Sequence, residues 1–338
     1  MVLTLVKRKN TMKIVEEALT ILRRRGEKSL KLAAEIIVNE EIISYSPLRK
    51  ALHYFLQEIR FGAPHSALIS LACEAVGGNP DDTSLIGAAM VLLAGAADIH
   101  DDIIDNSTVK NSKPTVLGKF GRDLALLAGD ALLFKGLTVL FESCKKLPME
   151  KGERILKLVE NAFFDLGIAE AKEASFKGNL EVSPREYLDV IKGKTSIVEM
   201  YARIGAIIGG GTLQEENALG KYGRTLGFLT TLRDDFIDIY DPDELKNRLT
   251  NECLPLPLLY ALQEPKIKSR IMPILTKDIT EESCLEIVGI VESVKDVQKL
   301  RRNMRTYVRE ALKLCSFVHF PHIQQELKLL LLAAIESI

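Results

Sequence analysis

The chain has no tryptophan, only 6% aromatic residues, no C-x-x-C pair, no surplus of either charge, and almost no stretch in which apolar and polar residues alternate. Each scarcity excludes something. Its five cysteines, Cys73, Cys144, Cys253, Cys284 and Cys315, are odd in number and widely scattered. That argues against a disulfide framework or a zinc site and fits reduced thiols in a cytoplasmic protein. Lys plus Arg is 45 against Asp plus Glu at 46, a net charge of -1. No basic surplus is left to hold nucleic acid through counterion release. No window of about 18 uncharged apolar residues occurs, so no transmembrane segment is expected. The opening MVLTLVKRKN has an apolar run too short for a signal-peptide core.

What the sequence does have is helical periodicity. With 338 residues, 47% hydrophobic and 27% charged, it is long enough to bury a substantial core. Apolar residues recur at three- and four-residue spacing, as in Ile14, Ala18, Leu19, Leu22 and in Ile155, Leu158, Val159, Ala162, Phe163. Gly, Pro and Asn clusters divide the pattern into about ten to twelve helices. Ser183-Pro184-Arg185-Glu186 reads as a capping box at a helix start. Gly209-Gly210-Gly211 lacks the Gly-Lys-Ser/Thr of a phosphate loop and reads as a helix end. The expectation is one all-α domain spanning residues 1–338.

Two pentads carry the chemistry: Asp101-Asp102-Ile103-Ile104-Asp105 and Asp234-Asp235-Phe236-Ile237-Asp238. The chain contains 17 Asp, and at that frequency D-D-x-x-D arises by chance about 0.04 times in such a length. Two copies are therefore no accident of composition. On a helix, Asp101 and Asp105 share a face, as do Asp234 and Asp238. Like charges at that spacing destabilise a helix by a few tenths of a kcal/mol, so something cationic should offset them. Hard oxygen donors select Mg²⁺, with Mn²⁺ as an alternative, and Mg²⁺ commonly bridges one or two carboxylates to substrate phosphates. Two such clusters suggest a diphosphate gripped between them. Apolar runs precede both pentads, Ala88 to Ala97 and Leu226 to Leu232, which places them at the inner ends of core helices rather than on a solvated acidic face.

On these residues the chain resembles the trans-isoprenyl diphosphate synthases, the polyprenyl synthetase family, over most of its length. The family's first Asp-rich motif matches Asp101, Asp102 and Asp105, and its second matches Asp234, Asp235 and Asp238. Lys194-Thr195 resembles its Lys-Thr pair, Gly129-Asp130 its G-D-x-L-L segment, and His100 a position that contacts the homoallylic diphosphate. The resemblance implies an orthogonal helical bundle of the isoprenoid synthase type around a central apolar cavity. It implies Mg²⁺ held by the six Asp, with catalytic roles for Asp101, Asp102, Asp105, Asp234, Asp235 and Lys194. The substrates implied are an allylic diphosphate and isopentenyl diphosphate. Lys194, Thr195, Lys110 and His100 would contact them, in a homodimer or a heteromer.

The departures cluster on the acceptor side. The family's G-G-K-R-x-R-P stretch falls on Arg60 to Ser66, with Gly62 and Ala63 where its Lys and Arg belong. Arg60, His65 and Lys113 are the candidate replacements. Lys110-Asn111 stands for its Arg-Arg, Thr230-Thr231 for its Phe-Gln, and the Lys usually found after the second motif is replaced near Glu252-Cys253. Back from Asp101, Ala97 and Ala96 are small, with Leu93 and Met90 beyond. Room below the first pentad predicts a product of C20 or longer, shortened by Ala96→Phe. Three other readings compete: a non-catalytic or modulatory subunit of a heteromeric synthase, a class I terpene cyclase, and a helical binding protein with incidental acidic patches. Lys295, Lys299, Arg301, Arg302, Arg305 and Arg309 read as a solvated basic helix face, with transient membrane contact as the alternative.

Overall fold

The computed structural model describes residues 2–58, 63–110 and 113–336. Its helices are α1 (Val2–Val38), α2 (Ser46–Glu58), α3 (Ala63–Ala75), α4 (Ser84–Ile104), α5 (Val116–Phe120), α6 (Arg122–Cys144), α7 (Met149–Ala174) and α8 (Pro184–Lys194). They continue as α9 (Ser196–Gly209), α10 (Leu213–Asp238), α11 (Pro242–Asn251), α12 (Leu256–Leu262), α13 (Pro265–Leu275), α14 (Glu281–Glu292), α15 (Lys295–Leu314) and α16 (Pro321–Ala333). One antiparallel hairpin, β1 (Val109–Lys110) with β2 (Lys113–Pro114), is the only sheet among the described residues. The all-α expectation holds. The helix count exceeds the expected ten to twelve because prolines open short helices at Pro242, Pro265 and Pro321, where Pro pre-sets the backbone of the first turn.

Several local signals act as their chemistry requires. Ser183 accepts from the Glu186 amide while the Glu186 carboxylate accepts from the Ser183 amide, completing the capping box of α8. α9 ends where Gly210 turns left-handed at φ 81°, a conformation that costs a residue without Cβ little. Thr212 with Glu215 forms a second capping box, opening α10.

Helix α4 is the axis of the molecule, buried on both of its faces. Met90 and Leu93 enter one apolar cluster with Leu71, Tyr187, Tyr201, Ile204, Leu229 and Leu232. Leu92, Ala96 and Ile99 enter a second, with Leu52, Phe55 and Leu132 from α2 and α6. The two alanines before the first pentad therefore part company. Ala96 is 1% exposed inside the second cluster, whereas Ala97, half-buried, lies one turn from Asp101.

Residues 80–104 and 122–144 are each long and apolar enough to cross a membrane, with mean hydropathy 1.5 and 1.8. The requirement for an uncharged run had passed over both. The first is core, being mostly buried. The second leaves Leu126, Leu127, Phe134, Leu137 and Phe141 exposed along α6, and Phe164 and Ile168 are exposed on α7.

Helices α3 and α9 cross closely at Gly205, where a Cβ would collide with the Ile69 carbonyl and crowd Ala72. Backbone cannot yield as a flexible side chain can, so Gly205→Ala should cost about 1–3 kcal/mol of unfolding free energy in a denaturant titration. A loss below half a kcal/mol would show that the crossing relaxes.

Candidate active site

Both pentads lie at the C-terminal ends of core helices, Asp101 to Asp105 at the close of α4 and Asp234 to Asp238 at the close of α10. Unpaired carbonyls make that end partially negative, so carboxylates there are disfavoured twice, by the helix and by one another. The structure gathers cations onto them.

Lys110 reaches from β1 to the first pentad, with Nζ 2.7 Å from Asp102 Oδ1, 3.6 Å from Asp98 and 3.7 Å from Asp101. Asp102 is buried, and burial pushes its carboxyl up to about 6 despite Lys110. Lys177, between α7 and α8, lies 3.3 Å from Asp105 and donates to the Ile104 carbonyl at 2.5 Å, closing the end of α4. Burial and then the Asp101 and Glu252 charges raise Asp105 to about 6.

The second pentad is organised by a residue that the sequence did not advertise, Arg248 of α11. Its guanidinium donates to Asp238 Oδ2 through Nε at 3.0 Å and Nη2 at 2.7 Å, to Asp235 Oδ1 at 3.2 Å and to the Tyr187 hydroxyl at 3.1 Å. Glu252 lies 3.3 Å away and Glu173 3.7 Å. Asp235 is fully buried. Its Oδ1 also accepts from Tyr187, and its Oδ2 accepts from the Leu256 amide at 3.0 Å. Burial drives this carboxyl up to about 7. Asp234 points outward beside Arg233 at 2.9 Å, half its side chain exposed. Arg248 was legible only as part of a helix face, three residues beyond buried Leu245 and four before Glu252.

Lys194, in the last turn of α8, is ion-paired with Glu173 and lies 3.1 Å from Glu170. These carboxylates raise its pKa against burial, keeping it charged. Burial in turn lifts Glu170 to about 7. The two pentads share one electrostatic basin, because Glu252 is shifted by both Asp101 and Asp238, and Glu170 by Asp101.

The other expected contacts fare unevenly. His100 Nε2 lies 3.3 Å from Asp130, over Gly129, where any Cβ would collide with the imidazole. The Gly129-Asp130 pair thus makes room for His100 and receives it. Thr195 is buried and donates its hydroxyl to the Lys192 carbonyl at 2.7 Å, joining α8 to α9 instead of opening toward a ligand. His65 packs against Tyr201 with ring centroids 5.0 Å apart, and burial drops its pKa to about 4, so it is neutral at pH 7 and no substitute cation. Lys113 is exposed, paired in register with Lys110. Arg60 lies outside the described residues.

The donor set suits a hard divalent cation. Among the described residues no three His, Cys, Asp or Glu side chains form a ready cage, but Mg²⁺ asks only for one or two carboxylates, with water and phosphate completing its shell. Asp101, Asp105 and Asp234 have partly exposed side chains, at 35%, 18% and 53%. Asp238, though bound by Arg248, is as exposed as Asp105, at 17%, whereas Asp102 and Asp235 are buried and engaged by Lys110 and by Tyr187, Leu256 and Arg248. Of the six expected ligands, four thus keep some exposed side-chain surface and two are buried.

An all-helical bundle with two acidic pentads at the ends of buried helices, flanked by charged lysines, is the architecture of an isoprenoid synthase. The family model described as polyprenyl synthetase matches residues 52–291. The short chain isoprenyl diphosphate synthase of Methanothermobacter thermautotrophicus is 31% identical over 229 residues, covering 68% of this chain and 68% of that one. The geranylgeranyl diphosphate synthase of Methanosarcina mazei is 32% identical over 192 residues, covering 56% of this chain and 58% of that one. The geranylgeranyl pyrophosphate synthetase structure from Pyrococcus horikoshii superposes with a TM-score of 0.82 at 24% identity, covering 96% of this chain and 99% of the other. The chain belongs to the polyprenyl synthetase family and is a prenyl transferase by class.

The raised carboxyls have a thermodynamic consequence. Asp102, Asp105, Asp235 and Glu170 hold protons more tightly in the folded chain than in the unfolded one. The stability they contribute is full below about pH 4 and is lost as pH rises through about 6 to 7. His65 acts oppositely, one group against four. The ligand-free Tm should therefore be higher at pH 5.5 than at pH 7.5, and Mg²⁺ with pyrophosphate should narrow the gap. A flat profile between these values would show that the carboxylates are better neutralised than their surroundings indicate.

Proposed function

We propose that the chain is a Mg²⁺-dependent prenyltransferase that condenses an allylic diphosphate with isopentenyl diphosphate to a trans-prenyl diphosphate of C20 or longer. The observation that carries this reading is the shared basin of the two pentads, with Asp101, Asp105, Asp234 and Asp238 partly exposed, Lys110 and Lys177 paired to the first pentad, and Lys194 paired to Glu170 and Glu173 nearby. When bound, Mg²⁺ (or Mn²⁺) would supply the charge withdrawal that lets an allylic carbon–oxygen bond ionise. Asp101, Asp105, Asp234 and Asp238 would hold it. Lys194 and Lys110 bring fixed positive charge toward a diphosphate without a change of protonation. The apolar faces of α4 and α10 below the pentads keep water from the reactive carbon. No strong base stands among the outward-facing residues, so the released diphosphate is the natural acceptor for the proton lost after coupling.

Product length belongs to the face of α4 that carries Asp101. That face holds Ala97, Leu93 and Met90, whereas Ala96 is packed into the opposite cluster. The Methanosarcina relative, a geranylgeranyl diphosphate synthase, supports C20 as the lower bound. Assembly as a homodimer is supported by the apolar face of α6 and α7, since exposed patches of this kind ordinarily mark an interface. A cytoplasmic location is supported by five free, buried cysteines.

Incubating the purified chain with Mg²⁺ and both diphosphates should yield a prenyl product of C20 or longer, and Asp101→Asn or Asp234→Asn should slow it roughly hundredfold or more. An absence of elongation by the chain alone would favour the modulatory-subunit reading. Ala97→Phe should shorten the product, while Ala96→Phe should instead destabilise the fold by about 1–3 kcal/mol. Phe134→Asp should turn a dimer into monomers in sedimentation velocity, and an unchanged sedimentation coefficient would place the interface elsewhere.

A further inference from the structure

Helix α15 carries seven lysines and arginines against two carboxylates, which leaves 38 cations against 44 carboxylates in the rest of the chain. Positive charge is thus concentrated on one helix of an otherwise acidic protein. Val297, Leu300, Met304, Val308 and Ala311 bury one side of that helix. At about 100° per residue, Lys295, Lys299, Arg302, Arg309 and Lys313 lie within about 40° of the opposite direction, and all five are exposed. They form a line about 27 Å long, with Asp296 and Glu310 about 60° or more to its sides. Arg301, by contrast, turns to Glu292 at 3.0 Å and stacks on Phe236. Among the described residues none of the five outward cations has an ion pair, and Arg309 donates only to the Thr306 hydroxyl at 3.1 Å.

Like charges three and four residues apart destabilise a bare helix, so the line is better accommodated against an anion than in water. The shape of that anion follows from the geometry. The cations crown a ridge with the protein behind them, which suits a plane rather than a strand tracked along a groove. No aromatic side chain stands among them for a base to stack on. At the far end of the line, Lys313 meets an open groove of about 850 Å³, lined also by Lys221, Phe317 and Leu213. Leu213 is 67% exposed. Apolar surface beside the last cation is of use to a bilayer interface and of none to a sugar-phosphate backbone. The apolar side of α15 is committed to the core, so the helix cannot roll over and insert. Contact with a bilayer would be peripheral and electrostatic.

We propose that α15 is a docking face for an anionic phospholipid membrane, with Lys295, Lys299, Arg302, Arg309 and Lys313 against the headgroups and Leu213 at the interface. Docking is independent of the chemistry at the pentads. Combined with the prenyltransferase reading, it puts the enzyme where an amphiphilic product of C20 or longer can pass into lipid.

The test is co-sedimentation of the full-length chain with vesicles in about 0.1 M NaCl, no prenyl substrate being present. Phosphatidylcholine vesicles holding about 30% phosphatidylglycerol should bind the chain, pure phosphatidylcholine should not, and about 0.5 M NaCl should release it. A cation at such a surface is worth roughly fivefold in binding. The triple variant Lys299→Gln, Arg302→Gln, Arg309→Gln should therefore bind on the order of a hundredfold more weakly, with Tm no lower than that of the wild type because all three side chains are exposed. Leu213→Ser should weaken binding severalfold. Failure of the wild type to bind the anionic vesicles, or undiminished binding by the triple variant, would overturn the proposal. Tighter binding of a DNA duplex than of the vesicles, lost in the same variant, would overturn it too, by making the line a nucleic-acid contact. Vesicle binding is read without turnover, so docking can fail while prenyl transfer stands, and the converse.

Discussion

Concentrated negative charge at the ends of two buried helices is the constraint around which the rest of the molecule is arranged. A carboxylate at a helix C-terminus meets the partial charge of unpaired carbonyls, and a second one four residues away adds repulsion. Such groups persist only if cations come to them. Lys110 arrives on a hairpin, Lys177 on the turn after α7 and Arg248 on α11, while Lys194 at the end of α8 pairs with Glu173, which Arg248 also approaches. Four separate stretches of chain are thereby tied to one place. The neutralisation is incomplete: burial above all keeps several carboxyls raised toward neutral pH, and in the proposed function a divalent ion would supply the missing cation.

The scaffold makes this arrangement affordable in stability. α4 is buried on both faces, so its end is held by two apolar clusters rather than by its own hydrogen bonds. α10 is anchored by Leu219, Tyr222, Leu229, Leu232 and Phe236. Burial of a large aliphatic or aromatic side chain is worth about 1.5–3 kcal/mol, well above the few tenths lost to each like-charge pair. Packing therefore outweighs the local electrostatic cost. The two pentads divide their carboxylates alike. In the first, Asp101 and Asp105 stay partly open while Asp102 turns inward to Lys110. In the second, Asp234 and Asp238 stay partly open, Asp238 against Arg248, while Asp235 is bound into the protein.

Much of this was legible in the amino-acid order because it is written at short range. The pentads, the capping box at Ser183, the helix end at Gly210 and the helical period all depend on residues within a few positions of one another. What escaped notice depends on pairing across the chain. Arg248 meets Tyr187 from 61 residues away, and Lys177 meets the end of α4 from 73. Neither spacing leaves a periodic trace. Glu170 and Glu173 of α7 belong to no motif and enter the site only through Lys194 packed against them. The division between Ala96 and Ala97 turns on a single 100° step around α4, which no composition argument resolves. Thr195, expected from its resemblance to the Lys-Thr pair, has its hydroxyl on the Lys192 carbonyl, and His65, a candidate replacement cation, is held neutral by burial.

Calorimetric titration of inorganic pyrophosphate into the full-length chain, with and without Mg²⁺, addresses the cation deficit most directly. Saturable binding should be present with Mg²⁺ and lost, or weakened at least a hundredfold, when the ion is chelated. Pyrophosphate binding of equal strength in the absence of any divalent ion would mean that the lysines alone hold the anion, and that the outward-facing aspartates are not there to grip metal.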